Sequence, residues 1–450
     1  MARDASAQRI HNSHSPIPSA GELRAPEPEW VRRYNREPTG LTVPAAYPKA
    51  FVPQKSADPL DDAVNFLRQG KPEAAVALLV PMAGPGTESH GVWHSLGEAY
   101  GMLDRHADAE AAFRSAIRLR PDAAESHHNL ALSVAYQNRL DESIAHFLRS
   151  RQIQPDNPAL EQTLLTILLT VLQSRAEMRD HPLRVLDPLK AEPLVSVIMP
   201  TKDRPRLLET AVKSVLAQSY RHWEIVIVND GGADATEALR ASVLAAGDRI
   251  RYLNSAHSIG QAAARNAALD AARGDVLAFL DDDDIFLPHH LAMLVGGLRT
   301  SNAGFAYAAS ELVKEEVSNA TRMELERTPM FPGHRYSRNI LLVRNFIPIN
   351  SWAVRRECID QAGGFDEDLR CLEDWELLLR LSAHFSFHQM TEVTSEVRYR
   401  GATRDSVSGR NDLAPVCAQI YRRFAARGDA QLELARALYI DTLKTPPQAT

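Results

Sequence analysis

The segment Asp275-Val-Leu-Ala-Phe-Leu-Asp281-Asp282-Asp283-Asp284 runs from five apolar residues straight into four carboxylates. An apolar run this short reads as a buried strand. Packed carboxylates repel one another and destabilise a fold unless a cation neutralises them. Two readings of the run follow. It is either a hard divalent cation site beside a phosphorylated substrate, or a solvated acidic loop after a strand.

The surrounding pattern favours a site. From residue 194 the chain alternates strands and helices, which argues for α/β architecture with parallel strands. The spacing predicts strands over 194–199, 223–228, 250–253 and 276–280, with helices over 205–218, 234–246 and 260–273 between them. In open α/β sheets ligands bind outside the carboxyl ends of parallel strands. Four polar features fall at such ends: Pro200-Thr-Lys-Asp-Arg204, Asn229-Asp230-Gly231-Gly232, His257-Ser-Ile-Gly260 and the aspartate run. All four converge on one crevice.

The chain has 450 residues, which predicts two or three domains. Its net charge of −6 gives no electrostatic case for nucleic-acid binding. Three cysteines, Cys358, Cys371 and Cys417, form no C-x-x-C pair and read as buried thiols in a reducing compartment. The first residues lack the apolar core of a signal peptide. The most apolar stretch, 165–172, is too short to span a bilayer. The expectation is a cytoplasmic protein with no membrane span.

Residues 1–55 are rich in proline and lack apolar periodicity, so they read as disordered or weakly docked, with Trp30-Val-Arg-Arg-Tyr34 as a packing or binding exception. Residues 56–178 read as helical repeats. Trp93, Leu96, Gly97, Tyr100, Ala109, Phe113, Ala116 and Pro121 are followed 34 residues on by His127, Leu130, Ala131, Val134, Ser143, Phe147, Ser150 and Pro155. Phe66, Gly70, Ala74, Ala75 and Leu79 mark a degenerate earlier copy. The spacing resembles the tetratricopeptide repeat, in which small residues let paired helices approach and large ones fill the gap. The helix around 160–175 is the expected cap. Residues 179–193 read as a linker, 194–411 as the α/β domain, and 412–450 as a helical tail.

Within 194–400 six motifs stand in a fixed order. They are Val195-Ser-Val-Ile-Met-Pro-Thr201, Glu224-Ile-Val-Ile-Val-Asn-Asp-Gly231, Gly260-Gln-Ala-Ala-Ala-Arg-Asn266, Phe279-Leu-Asp-Asp-Asp-Asp284 with Pro288, Gly363-Gly-Phe-Asp-Glu367 and Glu373-Asp-Trp-Glu-Leu377. Their order and spacing resemble the family 2 glycosyltransferases, which implies the GT-A nucleotide-sugar-binding fold with a mixed, mostly parallel sheet. The resemblance implies that Asp230 accepts from the nucleotide base, and carboxylate chemistry suits an imide N–H, hence UDP. It implies nucleotide-sugar contacts from Pro200, Thr201, Gly260, Arg265, Asp281 and Asp282. It places Mn²⁺ or Mg²⁺ on Asp283 with Asp281, and the general base on Asp374 with Glu373 as alternate. The family's closing loop often carries a histidine; the matching segment 397–406 has none, and Arg400 and Arg404 stand there as cationic substitutes.

Structural alternatives accompany these roles. Pro200 terminates its strand, Arg265 is an exposed helical arginine near Asp270, and Asp374 caps a helix. Asp282 and Asp284 orient the other carboxylates or cap the helix near Pro288. Arg335, Tyr336, Arg344 and Asn350 are candidate acceptor contacts. The expected function is metal-dependent, inverting sugar transfer from a nucleoside diphosphate donor to a glycan or protein acceptor, with the repeats recognising acceptor or partner. One rival is a non-catalytic repeat scaffold with an inactive transferase-like domain. A nucleotidyltransferase is disfavoured, because the loop after the first strand lacks the glycines that grip a triphosphate.

Overall fold

The computed structural model describes residues 58–155, 157–318, 321–331, 335–400 and 412–444. Trp30, Tyr34 and Arg404 lie outside them. Among the described residues seven helices come first: α1 (Pro59–Arg68), α2 (Pro72–Leu79), α3 (His90–Met102), α4 (His106–Leu119), α5 (Ala124–Tyr136), α6 (Leu140–Ile153) and α7 (Pro158–Ser174). Helices α3 and α5 begin 34 residues apart (90 and 124), as do α4 and α6 (106 and 140). The α3–α4 and α5–α6 turns use left-handed residues at the same offset, Asp104 and Asn138. Gly97 is required by packing: a Cβ there would sit 2.6 Å from the Phe113 ring. Asp58, Ser89 and Asn157 cap α1, α3 and α7 through their side chains.

The array is not free-standing. Leu160, Leu164, Ile167, Leu168 and Leu172 of α7 are buried in the same core as Phe279, Trp352 and Trp375 of the second domain. Each fully buried aliphatic side chain contributes about 1.5–3 kcal/mol, so this contact fixes the cap helix to the α/β domain.

That domain holds a nine-stranded sheet in the order β3-β2-β1-β4-β8-β6-β9-β5, with β7 paired to β6. The strands are β1 (Val195–Thr201), β2 (Trp223–Asn229), β3 (Ile250–Asn254), β4 (Val276–Phe279), β5 (Ile285–Phe286), β6 (Phe305–Ser318), β7 (Thr321–Pro329), β8 (Trp352–Arg355) and β9 (Phe387–Tyr399). Strands β1 to β4 run parallel to one another, and β8 pairs antiparallel to β4. Every residue of β1, β2 and β4 is buried, which is why these strands read as unbroken apolar runs. Helices α8 (Pro205–Leu216), α9 (Thr236–Ala246), α10 (Gln261–Ala271) and α11 (His290–Ser301) follow β1, β2, β3 and β5. Next come α12 (Arg338–Leu341), α13 (Arg356–Ala362), α14 (Glu373–His384), α15 (Leu413–Arg423) and α16 (Ala430–Lys444). Among the described residues no helix is long and apolar enough to cross a membrane.

Pro200 does not end its strand. It lies inside β1 opposite Val228, beyond the last residue paired with β4, so its missing N–H interrupts no ladder on that side. The segment 179–193 is bound along the domain: Leu186 is buried, and the carbonyls of Leu186 and Asp187 accept from Asn302 (2.8 Å) and Arg355 (2.5 Å). Asn350 is fully buried and donates to the Glu396 carbonyl, and Tyr336 stacks on Phe387, so packing claims two of the candidate acceptor contacts. All three cysteines are buried and free.

Candidate active site

The parallel register brings Thr201, Asn229 and Asn254 side by side at the carboxyl edge of the sheet, and the aspartates follow β4 at the same edge. The loops there approach closely. Gly231 has φ +67°, and a Cβ on it would sit 2.4 Å from the His257 backbone. Only glycine satisfies both constraints. Asp230 is held by that neighbouring loop: its carboxylate accepts from Ile259 N (2.5 Å), Gly260 N (3.1 Å) and Ser258 Oγ (2.8 Å). Gly260, at φ +92°, is the residue before α10.

The aspartate run alternates. Asp281 and Asp283 keep 25% and 22% of their side-chain surface open, whereas Asp282 and Asp284 are buried at 5% and 7%. Buried Asp282 accepts from Thr201 Oγ1 at 2.7 Å and from Arg204 at 3.3 Å. Buried Asp284 accepts from the Arg398 backbone N–H at 3.0 Å, which ties the run to β9 rather than capping α11. Burial, then the neighbouring Asp283, push the Asp282 carboxyl up to about 6. Burial and nearby carboxylates raise Asp283 as well, and Asp284 further. These groups stand in a site short of positive charge.

Among the described residues, three arginines pair with the aspartate run. Arg204 and Arg400 both reach the Asp283 carboxylate, at 3.0 and 3.3 Å, and Arg400 also pairs with buried Glu315. Arg265 is not the exposed helical residue of the structural alternative. It is almost fully buried, contacts Asp281 at 2.7 Å and pairs closely with Glu373. Burial pulls its acidity up, but the two carboxylates outweigh that and hold it charged. Arg265 thus joins the end of β4 to the start of α14.

Asp374 sits in the first turn of α14, after Leu372, whose left-handed φ of 61° is costly for a side chain with a Cβ. Leu372, not Asp374, occupies the capping position, and it makes no side-chain cap. The Asp374 carboxylate accepts from Asn345 Nδ2 at 3.0 Å. Burial first and Glu373 second push Asp374 up to about 7. The Gly363-Gly364-Phe365 turn is structural: Asn266 bonds Phe365 N (2.8 Å) and O (2.9 Å), and a Cβ on Gly364 would sit 2.5 Å from Asn266 Oδ1.

The structure therefore places these residues in two bonded groups that meet along the aspartate run: Thr201, Arg204, Asp282, Asp283 and Arg400, and Arg265 with Asp281 and Glu373, with Asp374 next to Glu373 in sequence. Pro200 lies within the last residues of β1, and Asp230 and Gly260 line the adjoining loops. Sequence reading missed Arg204, Glu315 and Asn345. Arg204 carried a signal, a cation at a strand end beside the aspartates; Asn345 lay in a stretch without a motif.

The family model for glycosyl transferase family 2 matches residues 196–363. The putative colanic acid biosynthesis glycosyl transferase WcaA of Escherichia coli (strain K12) is 32% identical over 214 residues, covering 46% of this chain and 73% of that protein. The Escherichia coli UDP-Glc:alpha-D-GlcNAc-diphosphoundecaprenol beta-1,3-glucosyltransferase WfgD is 37% identical over 121 residues, 27% of this chain and about half (47%) of that one. Among solved structures, Staphylococcus aureus TarS in complex with UDP-GlcNAc has a TM-score of 0.42 at 17% identity, covering 55% of this chain and 71% of that one. The chain belongs to glycosyl transferase family 2, as a glycosyltransferase.

Proposed function

We propose that the chain transfers a sugar from a uridine diphosphate donor to an acceptor hydroxyl with inversion, and that Asp374 is the general base. The observation that carries this reading is the pairing of Arg265 with both Asp281 and Glu373, which sets a carboxylate base beside the aspartate run. The acceptor oxygen bonds to the anomeric carbon as its proton passes to Asp374. The bond from that carbon to the phosphate oxygen breaks, and the nucleoside diphosphate leaves with the electron pair. One displacement inverts the configuration.

Asp230 orders the 258–260 turn, and the remaining lone pair on Oδ2 suits the imide N–H of uracil. Pro200, Thr201 and Gly260 border the nucleotide, and Arg400 with Arg204 offers charge to the diphosphate. The donor set of the aspartate run fits a hard divalent cation: all its ligand atoms are carboxylate oxygens, and their mutual repulsion calls for positive charge. Asp283, with Asp281, would hold Mn²⁺ or Mg²⁺. No group of three metal-ligating side chains stands together among the described residues, so a cation held there would need further ligands from the donor or water. When bound, the cation stabilises charge on the leaving diphosphate.

The helical array reads as three tetratricopeptide-like repeats that recognise the acceptor or a partner. The relative WfgD is named for a UDP-glucose donor and a diphosphoundecaprenol-linked acceptor, which makes lipid-linked glycans the first acceptors to screen. The test is UDP-sugar turnover with Mn²⁺ in wild type, Asp283→Ala and Asp374→Asn. Both variants should lose turnover; full activity in both sinks the mechanism. A wild type that binds UDP yet never turns over would restore the scaffold reading.

A further inference from the structure

The stretch 337–350 carries no family motif, yet the molecule holds it from four sides. The carbonyls of Leu341, Leu342 and Val343 accept from Trp375 Nε1 (2.7 Å), Arg436 Nε (2.9 Å) and Tyr421 Oη (2.5 Å), one donor each from α14, α16 and α15. Fully buried Asn339 bonds the end of α7, donating to the carbonyls of Leu172 (2.9 Å) and Ala176 (3.1 Å) and accepting from Met178 N (2.9 Å). A strap fixed this way delivers whatever side chain follows it with little freedom. That side chain is Asn345.

Its amide has one permitted orientation. Oδ1 accepts from Ile347 N at 2.9 Å, so Nδ2 must point the other way, and there it donates to Asp374 Oδ2 at 3.0 Å. Asp374 needs such a partner. Glu373 on its own helix repels it, Asp281 from the end of β4 repels it, and the nearby cation, Arg265 of α10, is shared between those same two carboxylates. The Trp375 backbone N–H also bonds this carboxylate, and Asn345 orients it from outside its own helix. Asn345 fixes one lone pair and leaves others for a hydroxyl proton.

We propose that Asn345 is a positioning residue for the base: it sets the rotamer of Asp374 and supports its ionised form. The proposal rests on Asp374 being the base. Reactions depend on near-attack geometry so steeply that a displacement of about 1 Å costs about 100-fold in rate.

The test uses the full chain. Asn345→Ala should lower kcat by about 10- to 100-fold with donor KM and UDP affinity within about twofold of wild type. Asn345→Asp keeps the acceptor for Ile347 N–H and replaces only the donor, with a second carboxylate. It should displace the acid limb of kcat to higher pH, by more than Asn345→Ala does. A purely packing role predicts something else: lower stability and UDP affinity together, with the acid limb unmoved. That pattern, or wild-type kcat in both variants, overturns the proposal. Undiminished turnover in Asp374→Asn overturns the base reading itself and is read independently of either Asn345 variant.

Discussion

The two halves of the sheet reach the site by different means. In the parallel half, β3-β2-β1-β4, backbone register lines up the strand ends, and bonds between the loops that follow hold Asp230 and the aspartates. In the other half, the proposed base Asp374 arrives on α14 and is held by Asn345 of the strap; Arg265 pairs with its neighbour Glu373, and α14 and two terminal helices bond the strap itself. One half is positioned by a ladder, the other by individual side chains. A ladder tolerates single substitutions; a set of single bonds does not.

The largest effect should separate the halves outright. Asp374→Asn removes the proton acceptor and nothing from the donor side, so kcat falls about 10²- to 10⁴-fold while calorimetric UDP affinity stays. Asp283→Ala should do the converse, abolishing metal-dependent UDP binding. Loss of UDP binding in Asp374→Asn would show that the halves are not separable.

Next is the joint between them. Arg265→Met leaves Glu373 and Asp281 facing one another without the buried cation, and breaking a buried pair costs about 3–5 kcal/mol. Chemical unfolding should show that loss. If the transition midpoint is unmoved, the halves are held together elsewhere.

The third test is pH. Asp374 is pushed up to about 7, and a base works only when ionised. Below about pH 7 kcat should fall about tenfold per unit, so turnover at pH 5 is about 100-fold below the plateau. A flat profile from pH 5 to 8 would remove Asp374 from the proton transfer.

The same contrast explains what could be read from the chain. Strands β1, β2 and β4 were legible because burial on both faces makes an unbroken apolar run. The repeat was legible because helices restart every 34 residues. Within the aspartate run, the turn after β4 leaves Asp281 and Asp283 partly open and buries Asp282 and Asp284; the open pair was marked by the family resemblance. The base half leaves no such periodic trace. Arg265 looked exposed on an Ala-rich helix because one of its partners, Glu373, lies 108 residues away. Asn345 and Asn339 act by bonds to distant groups, and no local pattern encodes those. Tyr336 and Asn350 looked like surface contacts because their partners, Phe387 and Glu396, are equally remote.

The smallest effect falls on the link between the repeat array and the strap. Asn339→Ala deletes three bonds to residues 172–178 and takes the donor from the buried Leu172 carbonyl, which costs about 1–3 kcal/mol. The proper reference is Lys213→Ala on α8. It breaks an exposed i,i+4 pair with Glu209, which contributes at most about 0.5 kcal/mol. Both are single polar substitutions, one in the base half and one on the outer face of the donor half. If urea midpoints place Asn339→Ala well below Lys213→Ala, the strap is anchored through the cap helix, and strain in the array can reach Asp374 through Asn345. If the two are equal, α7 holds the domain by apolar contact alone, and the strap owes its place to Trp375, Tyr421 and Arg436.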